Sequence, residues 1–97
     1  MVKLFVYGTL RDPVVQQNIF GRVVPGVPDK LRGFRKIWLG IYPAILPDSA
    51  DSIIDGLLLE LTPEELLQGD IYETEDYQRI EVMLESGSAA WVYQAKQ

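Results

Sequence analysis

Apolar residues in this chain fall in short dense runs separated by proline, glycine and acidic turns, a pattern of strands with two brief helical interruptions. Residues 2–7 are rich in Val, Leu, Phe and Tyr and stop at Gly8, which predicts a buried strand. Asp12-Pro13 then reads as an N-cap followed by proline at the first helical position. Val14, Val15 and Ile19 are spaced for the inward face of a short helix that Gly21 would end. Pro25-Gly26-Val27-Pro28 reads as a turn. Residues 30–39 read as one strand with apolar points at Leu31, Phe34, Ile37 and Leu39, interrupted by Gly33. Gly40-Ile41-Tyr42-Pro43 opens an expected loop that runs to Asp51.

The most apolar segment, residues 53–61, predicts a further strand. Thr62-Pro63-Glu64-Glu65 is a helix start with a reciprocal capping box between Thr62 and Glu65. That helix should carry Leu66 and Leu67 inward and end near Gly69 or run on toward Tyr72. Residues 77–84 alternate, with Ile80, Val82 and Leu84 on one face and Arg79, Glu81 and Met83 on the other. A turn at Ser86-Gly87-Ser88 leads into a strand over 89–95, so the two form a hairpin. These elements predict an α+β domain spanning 1–97 with two short helices and a strongly curved, barrel-like sheet. A ferredoxin-like split βαβ sandwich is the alternative, disfavoured by the irregular, proline-rich link after the first strand.

Composition narrows the function classes. Ninety-seven residues, 47% hydrophobic and 24% charged, suit one domain with a packed core. The net charge of −5 argues against nucleic acid. The basic stretch Lys30-Leu31-Arg32-Gly33-Phe34-Arg35-Lys36 reads either as an anion site or as the solvated face of a strand. There is no cysteine or histidine, so disulfides, thiolate metal sites and Cys-His or Ser-His catalysis are excluded. A magnesium or calcium site of carboxylates alone stays open, although Glu73-Thr74-Glu75-Asp76 lacks the glycine of a calcium loop. No secretory leader and no apolar run long enough for a bilayer are visible, which predicts a cytoplasmic chain with no membrane partner. The oligomeric state is not legible.

Two segments carry candidate chemistry. Gly8, expected at positive φ, would turn the chain and bare the N–H groups of Gly8, Thr9, Leu10 and Arg11 as a cradle for a carboxylate or oxyanion. The plainer reading is a glycine turn closed by Thr9 on its own backbone. Glu73 is a candidate acid/base, with Ile71 and Tyr72 as an apolar wall that would raise its pKa. Asp70 lies one turn earlier and could pair with a backbone N–H or with Arg79, whereas Arg79 could pair with Asp76 or Glu81 instead. In the plainer reading Glu73 is one more solvated carboxylate.

Five segments, in order over residues 5–93, resemble the gamma-glutamylcyclotransferase-like family. Val6-Tyr7-Gly8-Thr9-Leu10-Arg11 is similar to its Y-G-[ST]-L loop, and Gly40-Ile41-Tyr42-Pro43-Ala44 to its G-x-Y-P segment. Asp55-Gly56-Leu57-Leu58-Leu59-Glu60-Leu61 resembles its glycine-led strand. Asp70-Ile71-Tyr72-Glu73 with Tyr77 and Arg79 resembles its acidic block, and Trp91-Val92-Tyr93 its last strand.

The resemblance implies a small mixed domain with a curved sheet that cyclises a gamma-glutamyl amine or amino acid into 5-oxoproline and frees the amine. It implies Glu73 as the catalytic acid/base and a loop of Tyr7, Gly8, Thr9 and Leu10 that binds substrate. Beyond what the resemblance implies, Arg11 at the end of that loop and Tyr42 and Tyr77 as pocket walls are further candidate substrate contacts. The substrate's own amine is the nucleophile, so neither cofactor nor metal is expected. One departure is Gly69, which precedes Asp70 where the family commonly runs from leucine straight to aspartate. The chain is also short, which leaves the leaving group open. A non-catalytic ligand-binding or regulatory module with the same pocket is the alternative function, and a structural domain with Glu73 merely paired is the third.

Overall fold

The computed structural model describes residues 1–96. Its centre is β1 (Val2–Val6), whose alternate side chains enter two different cores. Leu4 and Val6 pack with Leu10, Val24, Leu59, Leu61, Leu66 and Tyr93 on the helical side. Phe5 and Tyr7 pack on the opposite side with Leu31, Ile45, Ile54, Leu84, Ala90 and Val92. Leu4 and Phe5 are both 0% exposed. Each contributes about 1.5–3 kcal/mol by leaving water. A strand buried on both faces reads as a continuous apolar run, as the buried part of β1, Leu4-Phe5-Val6, does.

After β1 come a 3-10 turn (Thr9–Arg11) and α1 (Pro13–Phe20), followed by β2 (Gly26–Arg32), β3 (Phe34–Leu39), β4 (Tyr42–Pro47) and β5 (Ile53–Leu61). Then follow α2 (Pro63–Glu73), β6 (Tyr77–Met83) and β7 (Ala89–Ala95). Five strands form one sheet in the order β2-β5-β1-β7-β6, and β3-β4 form a separate two-stranded sheet. Among the described residues only the β1–β7 pairing is parallel, with Leu4 opposite Trp91 and Phe5 opposite Val92. The fold is α+β, with two helices over one face and the β3–β4 hairpin over the other.

The sheet is curved but does not close. Among the described residues β2 and β6 remain its edges, although the turn after β6 reaches β2: the Glu85 N–H donates to the Lys30 carbonyl at 2.9 Å, and Arg32 pairs with Glu85. The basic stretch is accounted for in part by these surface pairs, since Lys30 also meets Asp55.

Helix starts and the later strands follow the sequence expectations. The Asp12 carboxylate accepts from the Val14 N–H at 2.9 Å, and the Thr62–Glu65 capping box is formed in both directions. Four expectations are corrected. Pro25–Pro28 is not a turn, because β2 starts at Gly26 and pairs there with Leu59 of β5. Residues 30–39 are two strands, broken at Gly33, whose φ of +89° reverses the chain out of the sheet into the hairpin. Residues 42–47 are a strand rather than a loop, paired with β3 across Gly40-Ile41. Leu67 is 58% exposed and Val14 67% exposed, so neither points inward. On α2 the inward stripe is Leu66, Gly69, Asp70 and Glu73, which turns Leu67 and Ile71 outward. On α1 the buried position is Gln16, whose amide donates to the Leu10 carbonyl and accepts from the Val24 N–H, each at 2.9 Å. That bridge holds the turn after β1 against the segment entering β2, and no apolar periodicity signals it.

Candidate active site

A cavity of about 280 Å³ opens where the end of β1, the start of β4 and the end of α2 converge. Tyr7, Gly8, Thr9, Leu10, Tyr42, Glu73 and Tyr77, seven of the residues singled out in the sequence, line it. Arg11 does not: its Nε folds back onto the Gly8 carbonyl at 3.2 Å. Nor does Ile71, which is 70% exposed, so the apolar wall beside Glu73 comes from Tyr72. Phe5, Val6, Pro43, Thr74, Asp76 and Tyr93 complete the lining without having been predicted as site residues, so a second carboxylate, Asp76, borders the cavity as well. Tyr93 is invisible to sequence reasoning because alternation on β7 says which face a residue takes, not which cavity that face meets.

Gly8 is needed for a different reason from the one expected. Its φ is −123°, not positive. A Cβ there would stand 3.0 Å from Cγ of Pro43, so the glycine admits the proline ring of β4. Pro43 is itself tied to the opposite wall, because the Tyr77 hydroxyl donates to its carbonyl at 2.8 Å. Two separate motifs thus meet at one point. The turn that follows leaves donors available: the amides of Thr9 and Leu10 open a 3-10 turn and have no partner within it. Among the described residues, neither they nor the Gly8 amide donates elsewhere. The Thr9 hydroxyl shares a 2.6 Å hydrogen bond with the Tyr72 hydroxyl, which fastens this turn to α2.

Glu73 ends α2. Burial among tyrosines, with no compensating cation or donor among the described residues, raises its carboxyl from an ordinary 4.5 to about 7. Burial and the nearby Glu73 charge in turn push the Tyr7 phenol upward, so Tyr7 stays protonated and donates to the Tyr93 carbonyl at 2.6 Å. The same causes push Tyr77 up to about 12. Thr74, directly after Glu73, has φ 66° and ψ −167°, a conformation close to glycine-only territory.

Asp70 stands one turn before Glu73 and pairs with Arg79, Nε to Oδ1 at 3.2 Å, rather than leaving Arg79 to Asp76 or Glu81. The Tyr93 hydroxyl donates to the same oxygen at 2.7 Å. Arg79 also lies over the Trp91 ring, 4.6 Å from its centre. Gly69 makes this possible: a Cβ at that position would come 2.9 Å from the Tyr93 hydroxyl. Among the described residues no cluster of carboxylates is arranged to hold a metal ion, and no helix is long and apolar enough to cross a membrane.

Residues 4–97 match the family described as gamma-glutamyl cyclotransferase, AIG2-like. AIG2-like protein C of Arabidopsis thaliana is 39% identical over 85 residues, covering 84% of this chain and 49% of that protein. This chain therefore spans about half the length of that relative. A solution structure from Arabidopsis thaliana superposes with a TM-score of 0.83 at 29% identity, over 97% of this chain and 68% of that one. A structure named gamma-glutamyl cyclotransferase shares the fold with a TM-score of 0.79 at 15% identity, over 99% of this chain and 67% of that one. With the motif residues gathered around one cavity and the profile matched along nearly its whole length, the chain belongs to the gamma-glutamyl cyclotransferase, AIG2-like family.

Proposed function

We propose that this protein is a cyclotransferase that converts a gamma-glutamyl amine or amino acid into 5-oxoproline and the free amine, with Glu73 as its acid/base. The observation that carries this reading is the Glu73 carboxyl, poised near pH 7 in a cavity it shares with the uncommitted amides of the Gly8–Leu10 turn.

The reaction asks little else of the protein. The substrate's α-nitrogen attacks its own side-chain carbonyl carbon, a new C–N bond closes the five-membered ring, and the original amide C–N bond breaks. Ionised Glu73 takes the proton from the attacking nitrogen and then delivers it to the departing one, so a single carboxylate near the working pH serves both transfers. In this reading the Gly8, Thr9 and Leu10 amides hold the substrate's carboxylate or the developing oxyanion. Holding the flexible substrate chain in a curled form supplies the remaining advantage, worth several kcal/mol. Tyr7, Tyr42, Tyr72 and Tyr77 give the cavity aromatic walls.

The test is 5-oxoproline release, followed by mass spectrometry, from a panel of gamma-glutamyl amino acids and amines, comparing wild type with Glu73→Gln. Release by wild type that collapses in a folded Glu73→Gln supports the reading. Absence of release from well-folded wild type transfers it to a ligand-binding module, and release unaffected by the substitution removes Glu73 from the chemistry.

A further inference from the structure

A groove adjoins the cavity, and the two share Thr74, Tyr77 and Tyr93 as common walls. Beyond those walls it contains Asp70, Arg79 and Trp91. Whatever leaves the gamma-glutamyl carbonyl beside Glu73 has to extend out of the cavity, and this groove is the charged, aromatic-walled exit next to it. Asp70 and Glu73 lie on one face of α2, three residues apart, an axial rise of about 4.5 Å. The Arg79 guanidinium is thus held by the residue that precedes Glu73 by about one turn of α2.

The guanidinium is partly committed. Its Nε meets Asp70 and its flat face rests on Trp91, while its Nη groups have no partner among the described residues. The Asp70 charge that would oppose an anion here is paired with Arg79, and the same oxygen accepts a hydrogen bond from Tyr93. What the groove offers is thus a guanidinium about a quarter exposed, braced by Asp70 and Trp91, whose planar fork of N–H donors is the arrangement that reads carboxylates best.

Resting on the cyclotransferase reading, we infer that this groove is a leaving-group subsite in which Arg79 binds the α-carboxylate of a departing amino acid. The α-carboxylate sits on the carbon next to the scissile nitrogen, which matches a guanidinium held by the residue one helical turn before Glu73. Arg79 is then the residue that selects gamma-glutamyl amino acids over gamma-glutamyl amines lacking an acid group.

The experiment compares gamma-glutamyl-alanine with gamma-glutamyl-ethylamide, which differ only by that carboxylate. Wild type is expected to favour the alanine compound in kcat/KM by about ten- to hundredfold, the worth of a charge-assisted hydrogen bond. Arg79→Gln is expected to bring the ratio close to one, and Arg79→Lys to restore part of it. A wild-type ratio near one overturns the inference whatever the variants do. So does an Arg79→Gln ratio equal to that of wild type, since Arg79 then merely braces α2. If wild type releases no 5-oxoproline at all, the cyclotransferase reading fails by itself. Calorimetric Kd values for the same two compounds then decide the subsite, and equal values overturn it.

Discussion

The Tyr93 hydroxyl occupies the space in which position 69 would otherwise carry a side chain, 2.9 Å from where a Cβ would stand. In an exposed helix Gly69→Ala would stabilise by about 1 kcal/mol. Here it is expected to destabilise by about 1–2 kcal/mol, because Tyr93 is held by Asp70 and cannot yield cheaply. Removing the hydroxyl with Tyr93→Phe should cancel most of that penalty. A thermal-denaturation double-mutant cycle reads the coupling, and additive effects would contradict the packing relationship.

Gly56 presents a harder limit. A Cβ there would lie 2.4 Å from the Val6 carbonyl oxygen and 2.7 Å from Phe5 Cζ. Backbone cannot give way as a side-chain tip can. Gly56→Ala is expected to cost about 3 kcal/mol or more, visible as a large fall in Tm, and to displace the end of β1 that leads into the turn at Gly8.

Glu73 links activity to pH. Its neutral form cannot accept a proton, so kcat/KM should rise with pH through about 7. Stability should run the other way. The folded-state pKa lies above the ordinary 4.5, so the folded chain binds the extra proton between about 4.5 and 7 and loses stability as pH climbs through that window. The loss is on the order of 2–3 kcal/mol. Glu73→Gln should therefore be more stable than wild type at pH 8 and close to it at pH 4, as measured by denaturant unfolding. Equal stability at both pH values would show that the carboxyl is not held out of water.

Thr74 is a β-branched residue at φ 66°. Thr74→Gly should relieve the strain and raise stability by about 1 kcal/mol. It should also loosen the residue that follows Glu73, so a higher Tm is expected together with a lower kcat for 5-oxoproline release. A gain in both would mean that the strain does not position the carboxyl.

Where local rules and tertiary packing agreed, the sequence was legible. β5 and β7 were readable to the residue, and both helix starts were visible through their caps. The misreadings share a cause. Gly26 and Pro28, like Pro43, are turn formers by composition, yet the antiparallel partners of β2 and β4 draw these residues into sheets, while Gly40-Ile41 does form the expected turn. Inwardness of Leu67 was a statement about hydrophobicity, whereas the inward stripe of α2 is set by Gly69, Asp70 and Glu73, which local apolar periodicity cannot register. At the site, the residues of the acidic block and the glycine turn were in view, but Pro43 and Tyr93 owe their place to close approach between distant strands.

The parallel contact between β1 and β7 also orders events in time. During synthesis β1 emerges first and can zip onto β5 once residue 61 is free, yet its other edge stays bare until β7 leaves the ribosome. Joining strands from opposite ends of the chain is the slow, entropically demanding step of such a topology. The carbonyl of Tyr93, which anchors Tyr7, arrives with that last strand, so the pocket is finished only when almost the whole domain has been made. A nascent chain stalled before Ala89 would carry every residue of the turn and Glu73, and still have no assembled pocket.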